Sequence, residues 1–573
     1  MESPDPRGAE LRLQPDPTRY TLPRFLEDVV ERHAARAAVR FEGAELSYGE
    51  LERESRRLAR ALIAAGVVKG ARVALLMANR PEWIVTAFAV AMTGAVLVPV
   101  NTFATPDERD YILRHSDASV LLLQSSLLGH RFLDDLLSAH PELGDGEPGR
   151  LRCAALPQLR RVVCLPTGDD RADDPPAGGI DGREQLLAGR ASVDDALLDA
   201  IGEQVTPADD AVIIYTSGTT ARPKGVLHYQ RAPVIQGWRF AELMGLDTDD
   251  RVWTAQPFFW TAGMAMSLGA TMAAGACLVL HETFDAAAAL ACIEAERITT
   301  VLAWPHQEKS MAEHPDAAGR DLGSVKHVEF ASPLAALAGL ETDEWGTYGS
   351  YGLSETFTLA SALPASAPAK LRADTSGKPL PGMQLRVVDP DSGQPIDEHD
   401  KGELTVKGLT FMRGYYKVEP ELYLDGDGFF HTQDGGSFDD DGHLHWSGRL
   451  SNLIKTGGAN VSPLEIEDAL VEYPGLKAGV AVGVPHPTLG EIVVLCAVCV
   501  DEATPEAGAI REHLRTRLAA YKVPKVVLFF EEGDVSYTGN QKVQVAPLRE
   551  AARARLAEQH VEVDGHRYGA EAS

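Results

Sequence analysis

The residues best suited to chemistry in this chain lie just after a short apolar run, residues 211–215. Four of the five residues at positions 216–220 carry hydroxyl groups, and Lys224 follows shortly after them. Small side chains let the backbone approach a ligand closely, and their N–H and O–H groups can donate hydrogen bonds to phosphate oxygens. Lys224 adds a positive charge, and Pro223 restricts the backbone before it. The spacing excludes a Walker loop, so composition alone leaves a phosphate-binding loop or a Ser/Thr-rich surface turn.

A second candidate is Glu355, which follows the glycine-containing stretch 349–354. In a general sequence such a carboxylate is more often the first residue of a helix than a metal ligand. A single carboxylate can nevertheless bind Mg²⁺ when the phosphates of a nucleotide complete the coordination. Both interpretations stay open on these residues alone.

The elements that must position these residues alternate between strands and helices. Strands are predicted at 72–77, 95–100 and 119–123; one helix between them starts at Pro81, and Thr105 opens the other with a capping box. This order is typical of a parallel sheet with helices on its faces, and it returns between residues 229 and 303. Residues 144–202, rich in Gly, Pro and Asp, are predicted to be mostly irregular.

The C-terminal part of the chain has a different pattern. Short strands separated by Asp/Gly/Pro turns predict a small β-subdomain from about residue 379, and a compact α/β segment of about 120 residues follows Arg449. We therefore predict an α/β fold. Residues 1–450 form an N-terminal domain of parallel-sheet layers that includes the β-subdomain at about 379–450. Residues 451–573 form a smaller, mobile, lid-like α/β domain.

Length and charge narrow the functional classes. A chain of 573 residues is too long for one core, and a net charge of −29 argues against nucleic-acid and anionic-membrane partners. Six scattered cysteines indicate free thiols in a reducing compartment; Cys496 and Cys499 face opposite sides of a predicted strand, which disfavours a metal pair. The N-terminus does not resemble a signal peptide, and the uncharged segment 258–280 is too rich in small residues to insert into a membrane. We predict a soluble, cytoplasmic protein, either monomer or homodimer.

Several motifs resemble those of one family. Residues 215–226, YTSGTTARPKGV, resemble the phosphate loop of the adenylate-forming superfamily, which comprises acyl-CoA synthetases, luciferases and peptide-synthetase adenylation domains. Residues 330–335 resemble its adenine-side turn, 351–355 its YGxTE motif, 430–434 its TGD motif, 448–467 its hinge region and 535–542 its LPxTxxGK motif. The resemblance runs from about Leu46 to Lys542 and, at residues 91–101, is closest to the acyl-CoA synthetase branch.

The resemblance implies a role for each matching residue. Catalytic roles fall to Lys542 in adenylation, Lys455 in the second half-reaction, Glu355 as the Mg²⁺ ligand and Thr216 in the phosphate loop. The implied ATP-binding residues are Thr216, Ser217, Gly218, Thr219, Thr220, Lys224, Ser332, Tyr351, Gly352, Ser354, Asp434 and Arg449. Trp260 and Gly263 match the motif beside the acid pocket, Trp304 is a second bulky candidate for that pocket, and Ser451 matches the hinge. Core packing is the alternative for both tryptophans.

Together these residues imply ATP-dependent activation of a carboxylic acid as an acyl-adenylate, with release of pyrophosphate, followed by transfer to CoA. ATP, Mg²⁺ and CoA are the implied cofactors and co-substrate. Two tryptophans in the pocket favour a small or aromatic acid over a fatty acid.

Four departures from the family pattern keep alternatives open. Gln433 and Gln541 stand where glycines are usual, Trp260 stands where His is frequent, and Ala221 also departs from the pattern. The adenylate could pass to an amine, a carrier protein or another nucleophile, or the acid could be nitrous acid. A non-catalytic nucleotide-binding relic is a further alternative. A kinase is excluded because neither a Walker loop nor a kinase signature is present.

Overall fold

The computed structural model describes residues 17–165, 178–216, 223–390, 392–450, 454–456, 459–471, 473–500, 505–518, 520–537 and 543–569. The chain divides into two compact units. The first comprises residues 1–385 with 406–429, and the second comprises residues 386–405 with 430–573. The predicted α/β fold with parallel-sheet layers and a C-terminal domain is confirmed. The domain boundary at residue 451 stays a prediction.

An eight-stranded sheet forms one layer of the first unit. Its strands, in spatial order, are Gly414–Tyr415, Lys224–Tyr229, Asp210–Thr216, Val96–Pro99, Arg72–Leu76, Val120–Gln124, Arg161–Leu165 and Asp181–Gly182. The last six run parallel, and the first two pair antiparallel at one edge. Continuous apolar runs such as VALL and VLLL suit the parallel strands, because both faces of such a sheet are covered.

A five-stranded sheet forms a second layer. Its order is Thr300–Leu302, Arg251–Thr254, Cys277–Leu280, Ala37–Phe41 and Ala44–Ser47. The first four strands are parallel, and the last two form an antiparallel hairpin. Glu42 and Gly43 at its tip both have positive φ, 50° and 79°, which a two-residue type I′ turn requires.

Two helices of the first unit begin with the capping boxes that the sequence predicts. Ser47 accepts a hydrogen bond from the Glu50 backbone N–H while Glu50 bonds back to Ser47. Thr105 and Glu108 repeat the arrangement, so each pair satisfies two otherwise unpaired N–H groups. The helices of this unit are Leu22–His33, Tyr48–Ala64, Pro81–Met92, Pro106–His115, Phe132–Ala139, Arg183–Ala188, Asp195–Glu203, Arg231–Met244, Ala270–Ala274, Ala286–Glu296, Pro305–Glu313, Pro333–Leu337 and Ala369–Asp374.

The prediction that residues 144–202 are mostly irregular is wrong for the described part after residue 178. A short strand there extends the eight-stranded sheet, and two helices, Arg183–Ala188 and Asp195–Glu203, follow it. Asp194 caps the second helix by accepting from the Leu197 N–H at 2.8 Å. Each helix buries only one or two leucines. So few apolar residues do not form a recognisable helical pattern in a Gly- and Asp-rich sequence.

The second unit contains a five-stranded sheet made of Ala459–Val461, Ile454–Thr456, Gly490–Cys499, Leu476–His486 and Val526–Phe530. Alternate residues of Gly490–Cys499 enter two different apolar clusters. Val493 and Leu495 pack with the helix Ala507–Arg515, whereas Val494 and Cys496 pack with the helix Val545–Glu558. Because successive side chains of a strand point to opposite faces, helices cover both faces of this sheet. The remaining helix of the unit is Pro463–Asp468.

Smaller sheets complete the described structure. A four-stranded sheet has the order Met383–Val388, Gly402–Gly408, Phe430–Phe438 and Leu444–Arg449, and a three-stranded sheet has the order Ser350–Tyr351, Ser361–Ala362 and Lys378–Pro379. Two hairpins pair Ser126–Leu127 with His130–Arg131 and Glu562–Val563 with His566–Arg567. All six cysteines are free thiols. Among the described helices, none has the length and apolar character needed to cross a membrane.

Candidate active site

The two described ends of the candidate phosphate loop lie directly opposite each other. Thr216 is the last residue of one strand, Lys224 is the first residue of the next, and the two are paired in the antiparallel register. Ser217, Gly218, Thr219, Thr220 and Ala221 lie outside the described residues. The hairpin places Thr216 and Lys224 at the carboxyl end of a parallel strand, the edge at which open α/β sheets bind ligands. The strand Lys224–Tyr229 is absent from the sequence prediction.

The helix Pro106–His115 supports this hairpin from the side. The Tyr111 hydroxyl donates to the Pro223 carbonyl at 3.2 Å, and His115 Nδ1 lies 2.8 Å from the Tyr215 hydroxyl. Burial raises the pKa of Tyr215 and lowers the pKa of His115, so this pair stays neutral around pH 7. A neutral hydrogen-bonded pair fixes the backbone next to Thr216 without adding charge.

Tyr415, which the sequence analysis did not single out, connects Glu355 with Lys224. Its hydroxyl donates to Glu355 Oε1 at 2.5 Å, and Lys224 Nζ lies 4.8 Å from the centroid of its ring. A carboxylate, a phenol and an ammonium group thus meet beside Thr216. No local motif marks Tyr415, because its partners come from the pairing of an edge strand with a distant segment, Val226 opposite Tyr415.

The turn that carries Glu355 is fixed by three hydrogen bonds. His228 Nε2 lies 2.8 Å from the Ser354 carbonyl oxygen, the Met412 N–H donates to the Glu355 carbonyl at 2.7 Å, and Gln236 donates to the next carbonyl at 2.8 Å. His228 is completely buried, and burial lowers its pKa to about 3. It is therefore a neutral donor that positions the turn.

The backbone after Glu355 is strained. Phe357 and Thr358 have positive φ values of 51° and 93°, a region that side chains other than glycine rarely adopt. Gly352 passes so close to this segment that a Cβ there would overlap the Thr358 carbonyl oxygen, which explains the glycine of the motif. Tyr351 beside it is buried in the strand Ser350–Tyr351. The strain and the close packing indicate a turn held in one conformation.

The surroundings of Glu355 fit a magnesium ion. One carboxylate oxygen accepts from Tyr415, and among the described residues no hydrogen bond engages the other oxygen. The side chain is half-buried, on a turn fixed by its neighbours. A hard oxygen donor of this kind suits Mg²⁺, which binds proteins through one or two carboxylates plus substrate phosphates.

Ser332, the candidate residue on the adenine side, begins the helix Pro333–Leu337. Its hydroxyl accepts from the Leu334 N–H at 3.2 Å and also bonds to the carboxyl group of Glu308. Glu308 is only 4% exposed, and burial, together with repulsion from Glu329, raises its pKa to about 7. Burial also raises the pKa of Glu329. Glu308, next to Ser332, is thus poised to hold a proton near neutral pH.

We expect the buried Glu308 to make the protein less stable as the pH rises from about 5 to about 7. The pKa of Glu308 is about 7 when folded against 4.5 as its ordinary value, so the folded chain binds more protons in this interval and the unfolding free energy falls. Glu308→Gln should raise the melting temperature above that of the wild type at pH 8 and change it little at pH 4.5.

Thermal unfolding measured from pH 4.5 to 8 tests this expectation. Glu313→Gln, an exposed glutamate on the same helix, serves as the control and should follow the wild type at every pH. Melting curves that stay parallel for Glu308→Gln and the wild type would contradict the assignment.

The two tryptophans of the candidate acid pocket are in contact. The ring centroids of Trp260 and Trp304 are 6.4 Å apart at an interplanar angle of 76°. Phe259 and Phe103 extend the contact, at 5.0 and 6.2 Å from the Trp260 ring. We call these four residues the aromatic cluster. Such edge-to-face contacts fix the rings relative to one another.

Gly263 begins a π-helix, Gly263–Gly269. A Cβ at Gly263 would overlap the Pro257 carbonyl oxygen, so glycine is required for this close approach. π-helical turns are uncommon and occur frequently at functional sites. The π-helix begins three residues after Trp260.

A cavity of about 200 Å³ borders the aromatic cluster. Its wall includes Phe103 and Phe259, together with the polar side chains of Asn79, His281 and Gln307. Gln307 also accepts from the Trp304 backbone N–H at 3.0 Å. A cavity of roughly 150 Å³ holds benzene, so the space suits one small ring system.

In the second unit, the candidate ribose-binding residues form an ion pair. Asp434 is 2% exposed, and its Oδ1 lies 2.9 Å from Arg449 Nε; the two residues are opposite each other on neighbouring strands. Gln433 has φ of 59° and an exposed side chain. The left-handed conformation explains why glycine is usual here and costs glutamine roughly 1–2 kcal/mol. The departure therefore strains the backbone without placing a side chain against Asp434.

Lys455 lies in the strand Ile454–Thr456 with an exposed side chain. Its backbone N–H donates to Glu491 Oε2 at 2.9 Å, which fixes the strand but leaves the ammonium group at the surface of this unit. The predicted hinge Ser451, the loop glycines at 457 and 458, Gln541 and the catalytic candidate Lys542 lie outside the described residues.

Comparison with known proteins decides the family. The family model described as AMP-binding enzyme matches residues 26–416, and the model described as AMP-binding enzyme C-terminal domain matches residues 465–542. The chain belongs to the AMP-binding enzyme family. The resemblance to the adenylate-forming superfamily and the prediction of an AMP-forming ligase of the acyl-CoA synthetase type are confirmed.

Relatives and solved structures cover nearly the whole of this AMP-binding enzyme. It is 32% identical over 529 residues to feruloyl-CoA synthase of Amycolatopsis sp, covering 89% of this chain and 95% of the relative. It is 32% identical over 549 residues to indoleacetate–CoA ligase of Aromatoleum aromaticum, covering 93% and 99%. The crystal structure of ATP-bound MatB from Rhodopseudomonas palustris superposes with a TM-score of 0.75 at 26% identity, covering 93% and 99%.

A further similar structure belongs to an enzyme whose name indicates that it forms amide bonds. The amide bond synthetase McbA from Marinactinospora thermotolerans superposes with a TM-score of 0.71 at 27% identity, covering 92% of this chain and 99% of that one. Fold similarity of this kind therefore includes both CoA ligases and an amide-forming enzyme.

Proposed function

We propose that this AMP-binding enzyme activates a small or aromatic carboxylic acid with ATP and transfers the acyl group to CoA. The observation that carries the proposal is the meeting of Thr216, Lys224 and Glu355 around Tyr415 in a member of this family. Hydroxyl, ammonium and carboxylate groups at the end of a parallel strand are what a nucleotide triphosphate and its counter-ion require.

In the first half-reaction, a carboxylate oxygen of the acid attacks the α-phosphorus of ATP. The new acyl–phosphate bond forms as the bond to the pyrophosphate oxygen breaks, and pyrophosphate leaves. Thr216 and Lys224, with the loop residues between them, bind the phosphates, and the positive charge of Lys542 balances the negative charge that develops on the α-phosphate. The chain thus contributes alignment and charge stabilisation rather than a covalent intermediate.

Glu355 is the residue that would hold Mg²⁺, and Tyr415 orients its carboxylate. The ion, when bound with ATP, supplies positive charge that balances the phosphate oxygens. His228 and Gln236 keep the turn of Glu355 in place and take no part in the chemistry. Asp434 and Arg449 are proposed to bind the ribose, and Ser332 with Tyr351, Gly352 and Ser354 to border the nucleotide.

In the second half-reaction, the sulfur of CoA attacks the acyl carbonyl, the thioester forms and AMP leaves. Lys455 and the loop after it are proposed to serve this step, and the C-terminal domain is proposed to rotate about Ser451 between the two steps. A rotation of this kind lets one site run two reactions, because it removes one lysine and brings in another.

The class of acid is proposed from the aromatic cluster and its cavity. Two tryptophans in contact at 6.4 Å and a cavity of about 200 Å³ leave room for one or two rings and little room for a long alkyl chain. The names of two relatives, feruloyl-CoA synthase and indoleacetate–CoA ligase, support an aromatic acid.

A panel of acids tests the proposal. Pyrophosphate–ATP exchange should appear with benzoate-, cinnamate- or indole-type acids and stay at background with long-chain fatty acids, and mass spectrometry should detect the CoA thioester. Trp304→Ala should raise kcat/KM for bulkier acids by roughly tenfold or more, because it removes a large ring from the aromatic cluster that borders the cavity. Trp446→Ala, at an exposed tryptophan of the second unit, is the control.

Three outcomes separate the alternatives. A long-chain thioester as the preferred product contradicts the pocket assignment. An adenylate that forms but reaches an added amine and never CoA favours the second candidate function, an amide-forming ligase, which the similarity to McbA supports. Nitrite is included in the panel as the inorganic acid, and absence of exchange with every acid would support a non-catalytic protein.

Ser451→Pro tests the proposed hinge. Proline fixes φ near about −65°, so the variant should hold the C-terminal domain in one arrangement. We expect one half-reaction to keep a rate close to that of the wild type and the other to fall by at least roughly a hundredfold, as measured separately by exchange and by consumption of preformed adenylate. Ser451→Ala is the matched control. Wild-type rates in both steps would place the hinge elsewhere.

A further inference from the structure

A second group of chemically competent side chains lies in the first unit and belongs to none of the motifs described above. His140, Glu142 and Cys153 bring a ring nitrogen, a carboxylate oxygen and a sulfur within 4.8 Å of one another. Within the described ranges, this is the one group of three His, Cys, Asp or Glu side chains whose donor atoms lie close enough to hold a metal ion. We call it the His–Glu–Cys cluster.

The Nε2 atom of His140 is held by a carboxylate, which leaves Nδ1 as the candidate ligand atom. It is 6% exposed at the end of the helix Phe132–Ala139, and its Nε2 lies 2.8 Å from Asp110 Oδ2. Because the carboxylate accepts the Nε2 proton, the lone pair lies on Nδ1, and among the described residues no hydrogen bond engages that atom. A carboxylate behind the far nitrogen is the usual support of a metal-bound histidine.

Cys153 is a buried thiol whose proton a metal ion would displace. The side chain is 4% exposed, and the backbone N–H groups of Ala155 and Leu156 both donate to its sulfur. The carboxylate of Glu142 bonds to the same sulfur, so without a metal the thiol proton lies between them. Burial and the bond to Glu142 raise the pKa of this thiol, and the two amide donors oppose that rise.

The spacing of the three donors requires only a small adjustment. Zinc bonds of about 2.0–2.3 Å in a tetrahedral arrangement place ligand atoms roughly 3.3–3.8 Å apart. The three donor atoms lie within 4.8 Å of one another, so the widest separation has to shorten by about 1 Å on binding. Glu142 is the exposed member of the three.

We propose that the His–Glu–Cys cluster binds one Zn²⁺ ion, with water as the fourth ligand. A nitrogen, an oxygen and a sulfur donor together suit zinc and exclude the all-oxygen preference of Mg²⁺ and Ca²⁺. As the Zn–S bond forms, the thiol proton of Cys153 leaves to solvent. The ion would join the end of a helix to the segment that precedes the strand Arg161–Leu165.

Cobalt titration of the full-length, chelator-treated and reduced protein tests the site. Co²⁺ should bind at one ion per chain and produce a thiolate-to-cobalt charge-transfer band together with the visible bands of a tetrahedral ion. Zn²⁺ should abolish both, and Mg²⁺ in excess should leave them unchanged. Cys153→Ser should remove the charge-transfer band, and Cys292→Ser, at another partly buried thiol, should keep it.

Two milder variants keep the test decisive if Cys153→Ser fails to fold. Glu142→Gln changes an exposed side chain and should weaken Co²⁺ binding at least tenfold, and Asp110→Asn should weaken it by about 10–100-fold through the orientation of His140. Both should retain pyrophosphate–ATP exchange. A wild-type protein with no charge-transfer band, unchanged affinity in both variants, or displacement by Mg²⁺ as readily as by Zn²⁺ would overturn the proposal.

Discussion

Glu355→Gln is expected to lower pyrophosphate–ATP exchange by about 10²–10³-fold, the usual cost of removing one preorganised electrostatic contact. The amide is neutral, so the variant loses the charge that would hold Mg²⁺, while the turn keeps its three backbone contacts to His228, Met412 and Gln236. We expect the Mg²⁺ concentration for half-maximal exchange to rise together with the loss of rate. The measurement is exchange at saturating acid over a range of Mg²⁺ concentrations.

Two companion variants make the Glu355 result specific. Glu341→Gln removes an exposed carboxylate of the same unit and should leave exchange unchanged. Tyr415→Phe keeps the carboxylate but removes the donor at 2.5 Å, so its loss should be smaller, about tenfold. Exchange at the wild-type level in Glu355→Gln would remove this residue from the proposed metal site.

Lys542→Ala is expected to separate the two half-reactions. Adenylation should fall by about 10²–10³-fold, because a positive charge at the α-phosphate is lost. Consumption of a chemically prepared adenylate by CoA should stay within a few-fold of the wild type, because in the proposed second arrangement this lysine is no longer in the site. Stopped assays of each step measure the two rates independently.

Lys525→Ala is the control for this experiment, since Lys525 is an exposed lysine of the same unit that pairs with Asp564 at 3.0 Å. It should leave both steps unchanged. Equal loss of both half-reactions in Lys542→Ala would contradict the proposal of two arrangements and would indicate that Lys542 acts in one fixed site.

Much of the fold could be predicted from local patterns. The capping boxes at Ser47 and Thr105 and the apolar runs of the parallel strands each depend on residues close in sequence. The short helices after residue 181 could not be predicted, because each buries too few side chains to show a period. The π-helix at Gly263 depends on a close contact with Pro257 that exists only in the folded chain. The amino-acid composition of the segment therefore does not predict it.

The residues of the candidate site also fall into two groups, those that a local motif predicts and those that only the folded structure brings together. Thr216, Lys224 and Glu355 stand in recognisable motifs, whereas Tyr415, which connects two of them, stands in none. The buried acid Glu308 beside Ser332 was missed for a related reason. A glutamate in a helix is ordinarily exposed, and only the packing of the helix against Ser332 shows that this one is not.

The edge strand Gly414–Tyr415 has a consequence for how the site comes into existence during folding. Its partner residues Val226 and Leu227 precede it by roughly 190 positions, and each doubling of such a loop adds only about 0.6 kcal/mol of closure entropy. The greater demand is kinetic, because a pairing of such high contact order forms late.

A short strand on the rim of a sheet is also among the first to open in the native state. Hydrogen exchange at Arg413 and Tyr416, whose N–H groups donate to Leu227 and Gly225, would therefore slow when nucleotide occupies the site, and the slowing would report occupancy without any measurement of turnover.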